Sequence, residues 1–187
     1  MEREDFKVFE FEWWHFDHGS WEDHPVLDLT FADIDDRHQD VRGAMGILEE
    51  DGRTLMVANW RDFGEGRRLC WDLPGGTVRR GESAHDACIR EFAEETGIAV
   101  RVKDLAFVVE RFGFRSDDPD RRTVYLFFIV ERAGERALQP DPQDKDITDA
   151  GFKSAEEVRA LCTERYHREF IAWQNDRCAR YFVDRST

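Results

Sequence analysis

No apolar run in this chain approaches the ~18 residues of a membrane span. The N-terminus, MEREDFKVFEFEWW, is acidic where a secretory signal would be basic, so the chain reads as cytoplasmic and without a membrane partner. No CxxC pair occurs among Cys70, Cys88, Cys162 and Cys178, and four cysteines in 187 residues make no disulfide framework; they read as reduced and mostly buried. His15, His18 and His24 lack cysteines at ligand spacing, which argues against zinc and for solvated or hydrogen-bonded imidazoles. A net charge of −14 comes with no long basic run, no basic arm and no helix-turn-helix pattern. An extended nucleic-acid interface is thereby disfavoured, while a small nucleotide held by local arginines and a metal remains open. Internal repeats, low-complexity tracts and interdomain linkers are also missing.

What is present is an ordinary globular balance, 41% hydrophobic and 13% aromatic, sufficient for one domain with a substantial core. We expect a single domain over residues 1–187, with residues 1–40 as an N-terminal β extension and residues 41–187 as the core. Phe9, Phe11 and Trp13 alternate with Glu10, Glu12 and Trp14 as a half-buried strand, and Val26 to Ile34 alternates again. The aromatics of this extension read as packing, with a homodimer partner or a ligand cap as the alternatives. Strands at Val41 to Leu48 and Thr54 to Trp60 flank EEDG as a hairpin. The loop RDFGEGRR, carrying Arg61, Arg67 and Arg68, leads into LCWDL and the turn PGG. Of these arginines Arg61 is the candidate phosphate contact.

Further along, Ala99 to Val102 and Leu105 to Phe112 read as strands. TVYLFFIV is apolar on both faces, as a central strand would be. The acidic loop QPDPQDKDI precedes a short strand AGF, and Ser154 with Glu157 forms a capping box that opens a second helix. A last helix from about Arg168 to Val183 would place Phe170 or Ile171, Gln174, Cys178 and Phe182 on one core stripe. Sheet elements on either side of a helix, with two more helices at the end, make an α/β sandwich the natural architecture.

The chain is organised around GGTVRRGESAHDACIREFAEETGI, residues 75–98. Ser83 as N-cap, Asp86 in the first turn and Gly97 as terminator predict a helix from about Ser83 to Thr96. Ala84, Ala87, Cys88 and Phe92 fall on its packed side. Glu91 and Glu95 continue that side, with Glu94 at its edge. Inward carboxylates are costly unless paired or bound to a cation, and the last helical turn already disfavours negative charge. Arg90 alone cannot neutralise three of them. Carboxylate oxygens with a carbonyl from the preceding glycine turn suit magnesium or manganese better than zinc. The plain alternative is a solvated acidic face.

Gly76, five residues, Glu82, seven residues, Arg90-Glu91-Phe92, one residue, Glu94-Glu95, one residue and Gly97-Ile98 resemble the signature of the Nudix hydrolases at every position. Seven identities at fixed spacing arise by chance on the order of once in a million chains. The resemblance covers about an eighth of the chain, and it implies an α/β/α sandwich with a mixed β-sheet. It also implies metal-dependent cleavage of a phosphoanhydride bond in a nucleoside diphosphate linked to another moiety. By matching position, Glu91 and Glu95 would be the principal metal ligands, Glu94 and the Gly75 carbonyl further ones. Arg90 would orient the carboxylates through Glu82. Mg²⁺ is the implied cofactor, with Mn²⁺ as its substitute, and a small nucleotide is the partner. The acid that takes the water's proton is Glu91 or, in the acidic loop, Asp144 or Asp146. Many ADP-ribose hydrolases of the family carry a proline about fifteen residues beyond the signature; Phe112-Gly113-Phe114 stands there and argues against that substrate. Phe112, Phe114, Trp60 and Trp14 are the aromatics available to stack a base. The rival reading is a Nudix-like nucleotide sensor without hydrolysis.

Overall fold

The computed structural model describes residues 6–8, 16–18, 41–62, 66–113, 120–134, 146–164 and 167–185. The chain divides into two compact units, Met1–His38 and Gln39–Thr187. In the first, β1 (Phe6–Val8) and β2 (Phe16–His18) pair antiparallel, Phe6 opposite His18 and Val8 opposite Phe16. The strands expected over residues 9–14 and 26–34, and with them the aromatic dimer or ligand cap, lie outside the described residues.

The second unit is built on alternation that the sequence states and register that it does not. Its strands β3 (Val41–Ile47), β7 (Gly75–Thr77), β8 (Val100–Phe112), β9 (Arg122–Arg132) and β11 (Tyr181–Asp184) form a five-stranded sheet in the order β11-β8-β9-β3-β7. The sheet is mixed: β3 runs parallel to β9 and β11 to β8, while β8–β9 and β3–β7 are antiparallel. A second sheet holds β4 (Glu49–Glu50), β5 (Arg53–Asp62), β6 (Arg67–Asp72) and β10 (Ile147–Ser154), with β5 between β10 and β6.

Strand β9 is the doubly covered strand that its composition predicts. Phe128 and Val130 pack with Ala87, Cys88 and Phe92 of helix α1 (Ala84–Thr96), while Phe127 faces the opposite way with Phe107, Val109 and the helices α2 (Ala155–Leu161) and α3 (Arg168–Asn175). Helices therefore cover both faces of the mixed sheet, giving the expected α/β/α sandwich. Among the described residues no helix is long and apolar enough to cross a membrane.

The helix caps follow local chemistry. Ser83 accepts the Asp86 N–H at 3.1 Å, and Gly97, at φ 71°, returns its N–H to Ala93 at 2.8 Å. Ser154 and Glu157 close a reciprocal capping box at α2.

Three expectations are corrected. The hairpin around EEDG joins only the two-residue β4 to β5, turning through Asp51 and Gly52 at positive φ. The long strand β3 departs for the other sheet, because β9 and β7 offer it a partner on each edge. The glycines after Pro74 form strand β7 rather than a turn alone. The last helix stops at Asn175: Asp176 is extended and its carboxylate accepts the Cys178 N–H at 2.9 Å, a local turn that competes with helix. The residues beyond are claimed by the free edge of β8, with Tyr181 opposite Val108. Cys178 is consequently exposed and Phe182 sits on a strand, whereas Cys70, Cys88 and Cys162 are buried as expected. Burial holds the Cys88 thiol up at about 12, and burial with the nearby charge of Asp72 does the same for Cys162.

Candidate active site

The site forms where the N-terminal half of β7 meets the last turns of α1. Gly75 pairs with Met45 and Gly76 with Ala44 across β3, which fixes the β7 backbone at the edge of the sheet. Helix α1 lies against the same strands, buried through Ala87, Cys88, Phe92, Glu95 and Thr96. That packing turns Glu95 inward, to 8% exposure, where its Oε2 accepts the Gly75 N–H at 2.8 Å. One helical turn earlier, the Glu91 carboxylate lies flat on Gly76: a Cβ there would stand 2.6 Å from Glu91 Cδ.

Arg90 organises the remaining acids. Its Nε and Nη2 make a two-point contact with Glu82, at 2.6 and 2.9 Å. Its Nη1 bridges Glu91 Oε1 at 2.7 Å and Glu94 Oε2 at 3.1 Å, and Nη2 also donates to the Thr77 carbonyl at 3.2 Å. Glu82 Oε2 further accepts the Arg79 N–H at 2.9 Å, so the loop from Thr77 to Ser83 is closed onto the helix. These contacts bring together Gly75, Gly76, Glu82, Arg90, Glu91, Glu94 and Glu95, the site candidates of residues 75–98.

The Arg90 hydrogen bonds, with the Arg79 N–H, pull the Glu82 carboxyl from its ordinary 4.5 to about 2. A depressed carboxyl contributes stability above its unfolded pKa and loses it as pH falls through the folded one. We therefore expect the stability advantage of the wild type over Glu82→Gln to hold at neutral pH and to shrink between 4.5 and about 2. Urea midpoints of both proteins across that range check it; an advantage independent of pH would contradict the assignment.

Can these groups hold a metal ion? Among the described residues no three His, Cys, Asp or Glu side chains converge as ligands, since Arg90 bridges Glu91 and Glu94 while Glu95 turns to the Gly75 N–H. The donor set nevertheless fits a hard divalent cation in its chemistry: carboxylate oxygens beside backbone carbonyls, with Gly76 leaving the Glu91 carboxylate room against β7.

The three arginines lie on the paired ends of β5 and β6, with Arg61 opposite Arg68. Arg61 Nε bonds Asp72 Oδ2 at 2.6 Å, and Asp72 Oδ1 meets His167 Nε2 at 2.8 Å. Arg67 pairs with Asp146 and Arg68 with Glu164. Asp146 thus sits beside Trp60 and Arg67 on the β5–β6 side, while Glu91 lies on Gly76; Asp144 is outside the described residues. Trp60 is exposed across from Leu69, and the Arg185 guanidinium lies over Phe112 at 4.2 Å. Trp14 and Phe114 are outside the described residues. Sequence reasoning did not find Asp72 and His167. An acid inside the apolar strand LCWDL was the available signal for Asp72; nothing local marks His167.

The signature geometry and the two-sided mixed sheet meet in one family, and the NUDIX domain model matches residues 37–174. This chain belongs to the Nudix family. Over 77 residues it is 38% identical to the ADP-ribose pyrophosphatase of Methanocaldococcus jannaschii, covering 41% of each chain. Over 76 residues it is 33% identical to a putative 8-oxo-dGTP diphosphatase of Bacillus subtilis, covering 41% of this chain and 48% of that one. Each match thus spans less than half of the relative's own length. Among solved structures, a NUDIX hydrolase from Nitrosomonas europaea superposes with a TM-score of 0.55 at 23% identity, over 75% of this chain and 92% of that one. That likeness shows the Nudix fold.

Proposed function

We propose that this Nudix domain is a metal-dependent pyrophosphohydrolase that cleaves a phosphoanhydride bond in a nucleotide or nucleotide derivative. The observation that carries the reading is the placement of Glu91 and Glu95 against the Gly75–Gly76 backbone of β7, with Glu94 alongside. The names of its relatives, a pyrophosphatase and a putative diphosphatase, support the same class. Glu91, Glu94, Glu95 and the Gly75 carbonyl would hold the cation, magnesium or manganese. Bound there, such an ion neutralises charge on the phosphate oxygens and lowers the pKa of the attacking water.

The chain's own residues supply position. Arg90, fixed through both its edges, keeps Glu91 and Glu94 on the β7 side of the helix, and Glu82 anchors Arg90 to the preceding loop. Glu95 is set by its hydrogen bond to Gly75. Arg61 would meet the substrate phosphates.

A panel of ADP-ribose, 8-oxo-dGTP, dGTP, a UDP-sugar and a dinucleoside polyphosphate, each with magnesium and with manganese, tests the reading. We expect turnover of at least one, with release of a nucleoside monophosphate, pyrophosphate or phosphate. Binding without turnover throughout would make the domain a nucleotide sensor instead.

A further inference from the structure

Strand β11 ends the five-stranded sheet on the side away from β7, and among the described residues β8 is the only strand that pairs with it. Its backbone groups alternate in direction. The Arg180 carbonyl accepts the Val108 N–H at 2.9 Å, so Arg180, Phe182 and Asp184 address β8, while the N–H and C=O groups of Tyr181 and Val183 point out of the sheet. The side chains alternate between the two faces. Phe182 packs edge-on against Phe107 at 5.6 Å, which leaves Tyr181 and Val183 on the opposite face, 59% and 48% exposed. Leu105, whose carbonyl accepts from Arg180 Nη1 at 3.5 Å, adds a third exposed apolar side chain at this end of the sheet. Outward backbone groups beside exposed apolar side chains are a template for another strand.

The order of residues in β11 says which strand fits. Arg180-Tyr181-Phe182-Val183-Asp184 carries opposite charges at its two ends and is apolar between them. Laid antiparallel on a second copy, with Phe182 on the two-fold axis, the segment sets Tyr181 opposite Val183 and Arg180 opposite Asp184. The same register satisfies the backbone. Tyr181 and Val183 are the residues whose groups point outward, and as a directly opposed pair each exchanges both N–H···O bonds with the other on either side of the axis. Phe182 then faces its own copy in a non-hydrogen-bonded pair, where side chains stand closest, and extends the Phe107 cluster across the axis. A shifted register would put Arg180 or Asp184 opposite Phe182 instead.

We propose that β11 is a homodimer interface, on which a second copy of this chain pairs antiparallel through Tyr181, Phe182 and Val183 and joins the two mixed sheets edge to edge. The contact is short and belongs with the small interfaces, so its dissociation constant is expected at about 10–100 µM. Strand β7 stands at the other end of the sheet, four strands or about 19 Å from β11, so each copy keeps its Gly75–Gly76 edge outside the contact. A short, charged edge that serves only to prevent pairing would leave the protein monomeric at every concentration.

Sedimentation equilibrium of the full chain between about 1 µM and about 1 mM brackets that constant. We expect monomer at the low end and mostly dimer at the high end. Val183→Pro removes an N–H that β8 does not use, so the fold should persist while the dissociation constant rises at least about tenfold. The register is read by cross-linking in a Cys178→Ser background, because Cys178 is exposed. Tyr181→Cys mixed with Val183→Cys should give the heterodisulfide under a mild oxidant in preference to either homodisulfide, since only the opposed positions come within about 7 Å between Cα atoms. The cross-link carries the test if thermal melting shows that Val183→Pro does not fold. A monomer throughout would overturn the proposal, as would a dimer that Val183→Pro leaves as tight as the wild type, or disulfides that show no preference for the mixed pair.

Discussion

Replacing Glu95 by Gln is expected to lower kcat by about a hundredfold or more, while the protein still melts near the wild-type temperature. The loss follows from charge: if Glu95 is a principal ligand, the amide removes a full negative charge from the ion, and metal stabilisation of a developing phosphate charge is worth several kcal/mol. The preserved fold follows from geometry. A glutamine keeps a carbonyl oxygen that can accept the Gly75 N–H, now at 2.8 Å from Glu95 Oε2, and its volume suits the same buried place beside Thr96 and Phe92. Steady-state kinetics with saturating magnesium, paired with a thermal melt, check both halves. Full activity in the variant would contradict the assignment of Glu95 to the metal.

Gly75→Ala should produce the largest loss of stability near the site. Gly75 has φ 147°, in the region that favours glycine, and a Cβ would lie 2.4 Å from the Ala44 carbonyl oxygen and 2.6 Å from Met45 Cα. Both obstacles are β3 backbone, which cannot swing aside as a side chain can. Strain of about 1–3 kcal/mol and overpacking of a similar size together give roughly 3 kcal/mol or more. For a chain of this length that lowers Tm by roughly 6–12 °C. Calorimetry on the purified variant reads it directly; a melting temperature within a degree of wild type would mean that β7 does not hold this register. Activity should fall too, since the Gly75 N–H positions Glu95.

The helix was legible because its determinants are close together in the chain. Ser83, Gly97 and the spacing of Ala87, Cys88 and Phe92 state its ends and its packed side within fifteen residues, and α1 occupies Ala84–Thr96. The same holds for the Ser154–Glu157 box and for the doubly covered strand β9. The strand after α3 was not legible, because residues 176–183 combine apolar and polar positions that serve a helix stripe as well as a short strand. What decides between them is the open edge of β8, whose paired residue Val108 is more than seventy positions from Tyr181 in sequence.

By itself, the sequence determined the signature helix, its caps and the carboxylates on its inner side, since capping and a 3.6-residue period are local properties of one segment. It also determined that those carboxylates needed a positive neighbour. Only the tertiary structure decided that Arg90 bridges Glu91 and Glu94, and that β3 leaves its hairpin for β9 and β7. It likewise decided that Arg61 answers to a buried Asp72 held by His167, 95 residues away. Backbone edges and buried charges are satisfied by whichever partner folding brings near, and that choice depends on the packing of the whole sheet rather than on any one segment.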